Sequence, residues 1–215
     1  MSDIKETAEQ LTVSSFGGQG ALQTIPVGVS ARHAHLCQNH VEVLFGEGHQ
    51  LEIHKELSQP GQFAAKETVM LAGPKGVIGR VRVLGPARQL SQVEISLTDA
   101  HQLGVSPPIR DSGDIAGSSP ITIIGPKGSI YLPEGLIIAN RHIHMSDVDA
   151  AQFEVHDGEN VTVMSLKERK VVYFDVKIRV HPNYRLEFHI DTDEANAAKL
   201  TNDDQVVMVK KIEKL

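Results

Sequence analysis

The sequence predicts a mainly β protein in which one structural unit is written twice, with a few short helices. Two observations carry this reading. From Ile25 onward the chain is a series of short runs rich in Val and Ile, separated by Gly, Pro and Asp. In addition, the stretch GVSARHAHL returns about half the chain later as LIIANRHIHM. The halves superpose further, VIGRVRVLGPAR on VVYFDVKIRVHP and QVEISLTDA on EFHIDTDEA, which is the mark of an internal repeat.

Taken in order, residues 1–24 form a leader. Ile4, Ala8 and Leu11 fall at i, i+4 and i+7, a narrow helical stripe, and SSFGGQG then reads as a flexible linker. The strand candidates follow: PVGVSARHAHL, QLEIHKEL, KETVMLAG, VIGRVRVLG, QVEISL, ITIIG, SIYL, LIIANRHIHM, NVTVMSL, KVVYFDVKIRV, RLEFHID and QVVMVKKI. Helices are expected after each His-x-His pair, at QNHVEVLF and at SDVDAAQF, where Ser146 and Asp149 resemble a capping box. Another starts at TDEANAAKL with Thr192 as its cap.

Each Arg-His-x-His places two imidazoles, His33 with His35 and His142 with His144, at i and i+2. On a strand these share one side and can share a metal ion. One such pair alone is an ordinary feature of a surface, but the repeat supplies a third donor to both. It sets Glu94 opposite His189, so that His33, His35 and Glu94 form one set and His142, His144 and His189 the other. Three N/O ligands with a position left open describe a catalytic zinc site. His40, His49, His54, His101, His156 and His181 have no counterpart in the other half and read as surface or locally bonded residues. Cys37 continues the His33, His35 alternation, but its counterpart is Ser146, and a helix cap or small packing residue suits both.

Composition removes several functions. A net charge of -6 with aromatics at 4% leaves no basic, stacking surface for nucleic acid. No apolar stretch approaches the roughly 18 residues of a membrane span, and a cytosolic protein is expected. A lone cysteine forms no intrachain disulfide. Lys75, Arg80, Arg82 and Arg88 lie on the Gly-rich segment just before Glu94. They read either as a charged edge strand or, beside a metal site, as groups for a phosphate, to which guanidinium is suited.

SARHAHL, LGPAR, QVEIS, PIRDSGD, NRHIHM and HIDTDEANAA resemble, in order and spacing, the phosphate propanoyltransferases of the propanediol-utilisation type, phosphotransacylases associated with bacterial microcompartments. The resemblance runs from about Ile25 to Ala198. It implies two interlocked β-barrels, residues 25–31 with 141–215 and residues 32–140, with a dimetal site between them. It also implies reversible transfer of a short acyl group, propanoyl or acetyl, between coenzyme A and phosphate, with acyl-CoA and acyl phosphate as the exchanging partners. By motif, two zinc ions or other divalent metals fall to the two sets of donors named above. Arg88 takes the phosphate-contacting, catalytic position, and Val29, Ser30, Ala31, Lys75, Arg82 and Asn196 match coenzyme A contacts. The family motif often has Asn where this chain has Ala31, so only a backbone contact carries over there. The leader is implied to address the protein to a microcompartment shell or its lumenal enzymes. Two rivals use the same residues: a dimetal hydrolase acting on acyl-CoA or acyl phosphate, and a metal-stapled, non-enzymatic microcompartment component.

Overall fold

A computed structural model describes residues 23–209, so the stripe and linker predicted in the leader lie outside the described residues. Strands β1 (Thr24–Ser30), β13 (Glu187–Asp191), β10 (His142–Met145), β12 (Val172–Val180), β11 (Asn160–Ser165) and β14 (Gln205–Val209) close a six-stranded barrel in that order. A second ring runs through β4 (Phe63–Ala72), β5 (Val77–Arg88), β2 (His33–Cys37), β6 (Gln92–Glu94), β9 (Ser129–Ala139) and β8 (Ser119–Ile124), which pairs back with β4. Two short strands, β3 (Ile53–Glu56) and β7 (Ile109–Arg110), flank it on β4 and β9. Each ring encloses its own apolar core, one built around Leu36, Leu71 and Leu136, the other around Ile143, Ile178 and Phe188. Among the described residues no helix is long and apolar enough to cross a membrane.

The rings match strand for strand: β4 with β11, β5 with β12, β2 with β10, β6 with β13, β9 with β1 and β8 with β14. The barrels are interlocked by an exchange. β1 precedes β2 in the chain yet belongs to the first ring, and β9 precedes β10 yet belongs to the second. PVGVSARHAHL and LIIANRHIHM, each read from sequence as one strand, are therefore broken at Ala31–Arg32 and Asn140–Arg141, where the chain passes between rings.

The repeat also needs a one-residue correction. His33 pairs with Arg82 and His142 with Lys177, so the two long strands correspond at a spacing one greater than direct superposition implies. A β-bulge at the same place in both strands marks the corrected correspondence, since its residues are matched at the same spacing. Arg80 and Asp175 sit there at φ 58 and 53, an unusual conformation for residues other than glycine. Four helices are described: α1 (Gln38–Phe45), α2 (Leu97–Leu103), α3 (Asp147–Phe153) and α4 (Thr192–Ala198). Ser146 and Asp149 do form the capping box of α3. Cys37 and Ser146 both stand at helix N-caps. The cap of α4 is Asp191, whose carboxylate accepts from the Glu194 N–H, and not Thr192, which is already the first helical residue. Helix α2 extends a segment read as strand, and it starts from a full Ser96–Asp99 capping box.

The tetrapeptide GPKG makes a hairpin twice in the second ring, at 73–76 and 125–128, and both hairpins cap a helix. Lys75 N donates to Leu103 O at the end of α2, and Lys127 N to Leu44 O near the end of α1, each at 3.0 Å. The approach is too close for a side chain. A Cβ on Gly73 would lie 2.4 Å from Leu103 O. Gly73→Ala is expected to cost about 1–3 kcal/mol, read as a lower denaturation midpoint. Gly79→Ala, on the same strand pair with open space around it, should stay within about 0.5 kcal/mol.

Candidate active site

On β2, Ala34 and Leu36 fill the second core while His33 and His35 face the other way, towards the first ring. On β10, Ile143 and Met145 are buried and His142 and His144 face back. The third donor comes from the antiparallel neighbour: Glu94 of β6 lies directly across from His33, and His189 of β13 directly across from His142. Cross-strand neighbours of this kind have side chains within reach. The candidate ligand atoms of His33, His35 and Glu94 all lie within 4.8 Å of one another, and so do those of His142, His144 and His189.

The details fit metal ligation. His33 Nδ1 lies 2.8 Å from Ala31 O, and His142 Nδ1 2.9 Å from Asn140 O. A carbonyl only accepts, so each Nδ1 carries the proton and each Nε2 keeps a lone pair for an ion. Glu94 Oε2 stands 3.4 Å from His33 Nε2, and Oε1 stands 4.0 Å from His35 Nε2. These gaps are wide for direct bonds and suit an ion about 2 Å from each atom. His144 Nδ1 is buried without a hydrogen-bond partner, and His189 Nε2 has the Glu187 carboxylate beside it, Oε2 at 2.9 Å. An orphaned buried nitrogen is costly unless something else binds it.

Electrostatics keep three of the imidazoles, His35, His142 and His144, neutral, the form a metal requires. Burial, then the neighbouring His33 and Arg88, pushes His35 far below the ordinary histidine range. Burial and His189 bring His142 down to about 3, and burial with His142, His189 and Arg179 brings His144 down to about 2. Burial alone would raise the Glu94 carboxyl, but His33, Ser112, Arg88 and His142 outweigh it and hold it below its usual value.

The two clusters share one cavity of about 600 Å³ between the rings. Arg88 lines it, with Nη1 donating to Ser112 Oγ at 3.2 Å. Burial lowers the Arg88 pKa, but a guanidinium so far above neutrality stays charged. Of the residues matched to coenzyme A, Val29, Ser30, Ala31 and Arg82 line the same cavity. Val29 N already donates to Asn202 Oδ1 at 2.7 Å, and Arg82 Nη1 to the carbonyls of Ala65 and Lys66. Lys75 and Asn196 are exposed and do not line it: Lys75 lies against Gly104 at the end of α2, and Asn196 is on α4.

Over residues 26–201 the chain matches the family described as phosphate propanoyltransferase. The chain belongs to the phosphate propanoyltransferase family. The phosphate propanoyltransferase of Lachnoclostridium phytofermentans is 59% identical over 178 residues, covering 82% of this chain and 83% of its own. That of Thermotoga maritima is 55% identical, covering 86% and 89%. That of Priestia megaterium is 55% identical over 207 residues, covering 96% and 94%. Around the donors common to the sequence reading, this phosphate propanoyltransferase fold brings in groups the sequence reading missed. Ser112 reaches in from the loop after β7, where Gln92 Nε2 also donates to it at 3.0 Å. The Tyr184 ring lies tilted against His144, with the ring centres 4.2 Å apart. Arg179 lies beside His144 on the adjoining strand. PIRDSGD contains Ser112 and was a visible motif, whereas Arg179 and Tyr184 carry no local signal.

Proposed function

We propose that the protein is a phosphotransacylase that moves a short acyl group, propanoyl or acetyl, reversibly between coenzyme A and phosphate at a site with two divalent metal ions. The observation that carries this is the shared cavity, where two three-donor clusters and the Arg88 guanidinium face one space between the rings. His33, His35 and Glu94 would hold one ion, and His142, His144 and His189 the other; nitrogen-rich sets with an open position match zinc. Bound there, the ions would supply Lewis acidity that favours thiolate over thiol and stabilises negative charge on the carbonyl oxygen.

The protein's own groups supply position. Arg88 presents a bidentate cation to the phosphate dianion and holds it near the thioester carbonyl. A phosphate oxygen forms the new C–O bond, the C–S bond breaks, and the proton lost by phosphate ends on the coenzyme A sulfur. Gln92 Nε2, 2.6 Å from Glu94 Oε1, fixes the carboxylate, and Gln92 Oε1 is fixed in turn by Gly113 N at 2.7 Å. No side chain has to become covalently attached to the acyl group.

Metal analysis combined with coenzyme A release from propanoyl-CoA tests the reading. Release that requires phosphate is the expected result, whereas equal release in its absence would indicate hydrolysis. The resemblance to propanediol-utilisation enzymes extends the proposal to a bacterial microcompartment, with the leader as address. Deleting residues 1–20 is expected to leave the purified protein's activity intact while abolishing packaging or reducing self-association. Undiminished packaging, or loss of activity, would show that the leader has another role.

A further inference from the structure

We propose that Arg179 is a second phosphate-binding residue, which with Arg88 forms a clamp of two guanidinium groups assembled from both barrels. The inference deepens the function proposed above and rests on it for the identity of the anion.

Arg179 comes from β12 of the first ring, at the ladder position beside His144, and lines the shared cavity. Arg88 comes from the end of β5 in the second ring. Both turn to the same loop residue: Arg88 Nη1 donates to Ser112 Oγ, and Arg179 Nη2 is 3.5 Å from Ser112 O, at the outer limit of a hydrogen bond. Neither guanidinium forms an ion pair among the described residues. Asp111, the acid next to Ser112, is already held by Lys177 and by Asn140 Nδ2 at 3.2 Å. Two partly buried cations so placed repel each other, and a dianion between them would relieve that repulsion. Arg82 is unsuited to the same task, because its Nη1 is committed to two backbone carbonyls.

The repeat makes the arrangement more pointed. The position equivalent to Arg179 in the other barrel is Leu84, beside His35. Each repeat thus places a cation where the other has none, and the two meet at Ser112.

The experiment measures initial rates of coenzyme A release from propanoyl-CoA against phosphate concentration, and separately titrates inorganic phosphate into the metal-loaded protein by calorimetry. Arg179→Ala is expected to raise KM for phosphate about 10- to 100-fold, the scale of one lost charge-assisted bond. KM for propanoyl-CoA and metal content should stay within about twofold, as expected for groups not coupled to the change. Arg179→Lys should recover only part of the loss, since one ammonium cannot reproduce the planar fork. Arg179→Gln keeps most of the side-chain volume and serves if the alanine variant does not fold. A folded, metal-replete variant with unchanged phosphate KM and phosphate affinity would overturn the clamp. Should the parent protein show no phosphate-dependent release, the proposed function fails, and the phosphate titration still decides the clamp: weakened binding in the variant upholds it and equal binding overturns it.

Discussion

Replacing Arg88 by alanine is expected to lower kcat/KM for phosphate in coenzyme A release by about 30- to 900-fold, which corresponds to about 2–4 kcal/mol of lost transition-state stabilisation. The magnitude follows from where the group sits. The guanidinium is partly buried at the cavity wall, and low local polarity strengthens its attraction to a dianion. Its bond to Ser112 Oγ steers the fork without consuming it. Arg88→Lys should recover little if both N–H groups of the fork engage the anion. The same variants should keep the denaturation midpoint close to the parent's, because Arg88 forms no ion pair that folding depends on. Near-normal rates in both variants would place the phosphate elsewhere.

The second large effect is expected at the donor clusters. His35→Ala and His144→Ala should each remove roughly one metal ion per chain and leave most of the other site loaded. Activity should fall in both, by more than the about 10- to 100-fold that changes outside the ligand shell cost at metal sites. His35 is only 3% exposed, so its removal also opens a buried space, and metal content read on folded protein separates the two consequences. Full metal content in both variants would end the dimetal reading.

Much of this site was legible because strand geometry makes His-x-His a one-sided pair and because the pair occurs twice. The third donors were legible through QVEIS and EFHID, where no bulge intervenes between the superposed residues. Elsewhere local pattern was silent. Nothing in PVGVSARHAHL marks Ala31–Arg32 as the passage between rings, since the strand-like pattern continues on both sides of it. The long-strand superposition slipped by one because apolar runs alone were matched, and the equivalent bulges at Arg80 and Asp175 that fix the register leave no sequence signature at residues other than glycine. Helix α2 was hidden by the apolar and β-branched start Leu97-Thr98, although its Ser96-x-x-Asp99 cap was readable. Arg179 carries no local motif, and the repeat lends it none, because its structural equivalent is Leu84.

The exchange of β1 and β9 has a mechanical consequence. Without β1, the first ring is a five-stranded sheet with two exposed edges, and the second is left in the same state without β9. Neither repeat can complete its own enclosure, so a cut that separated them would leave each half with unpaired backbone and half a cavity. Pulling out either exchanged strand tugs on the short crossing at Ala31–Arg32 or Asn140–Arg141, which leads straight into a His-x-His strand. Opening of a barrel and loss of the donors are thereby one event. Bound ions would therefore act as rivets against unfolding of the whole molecule, and slow metal release would set its lifetime.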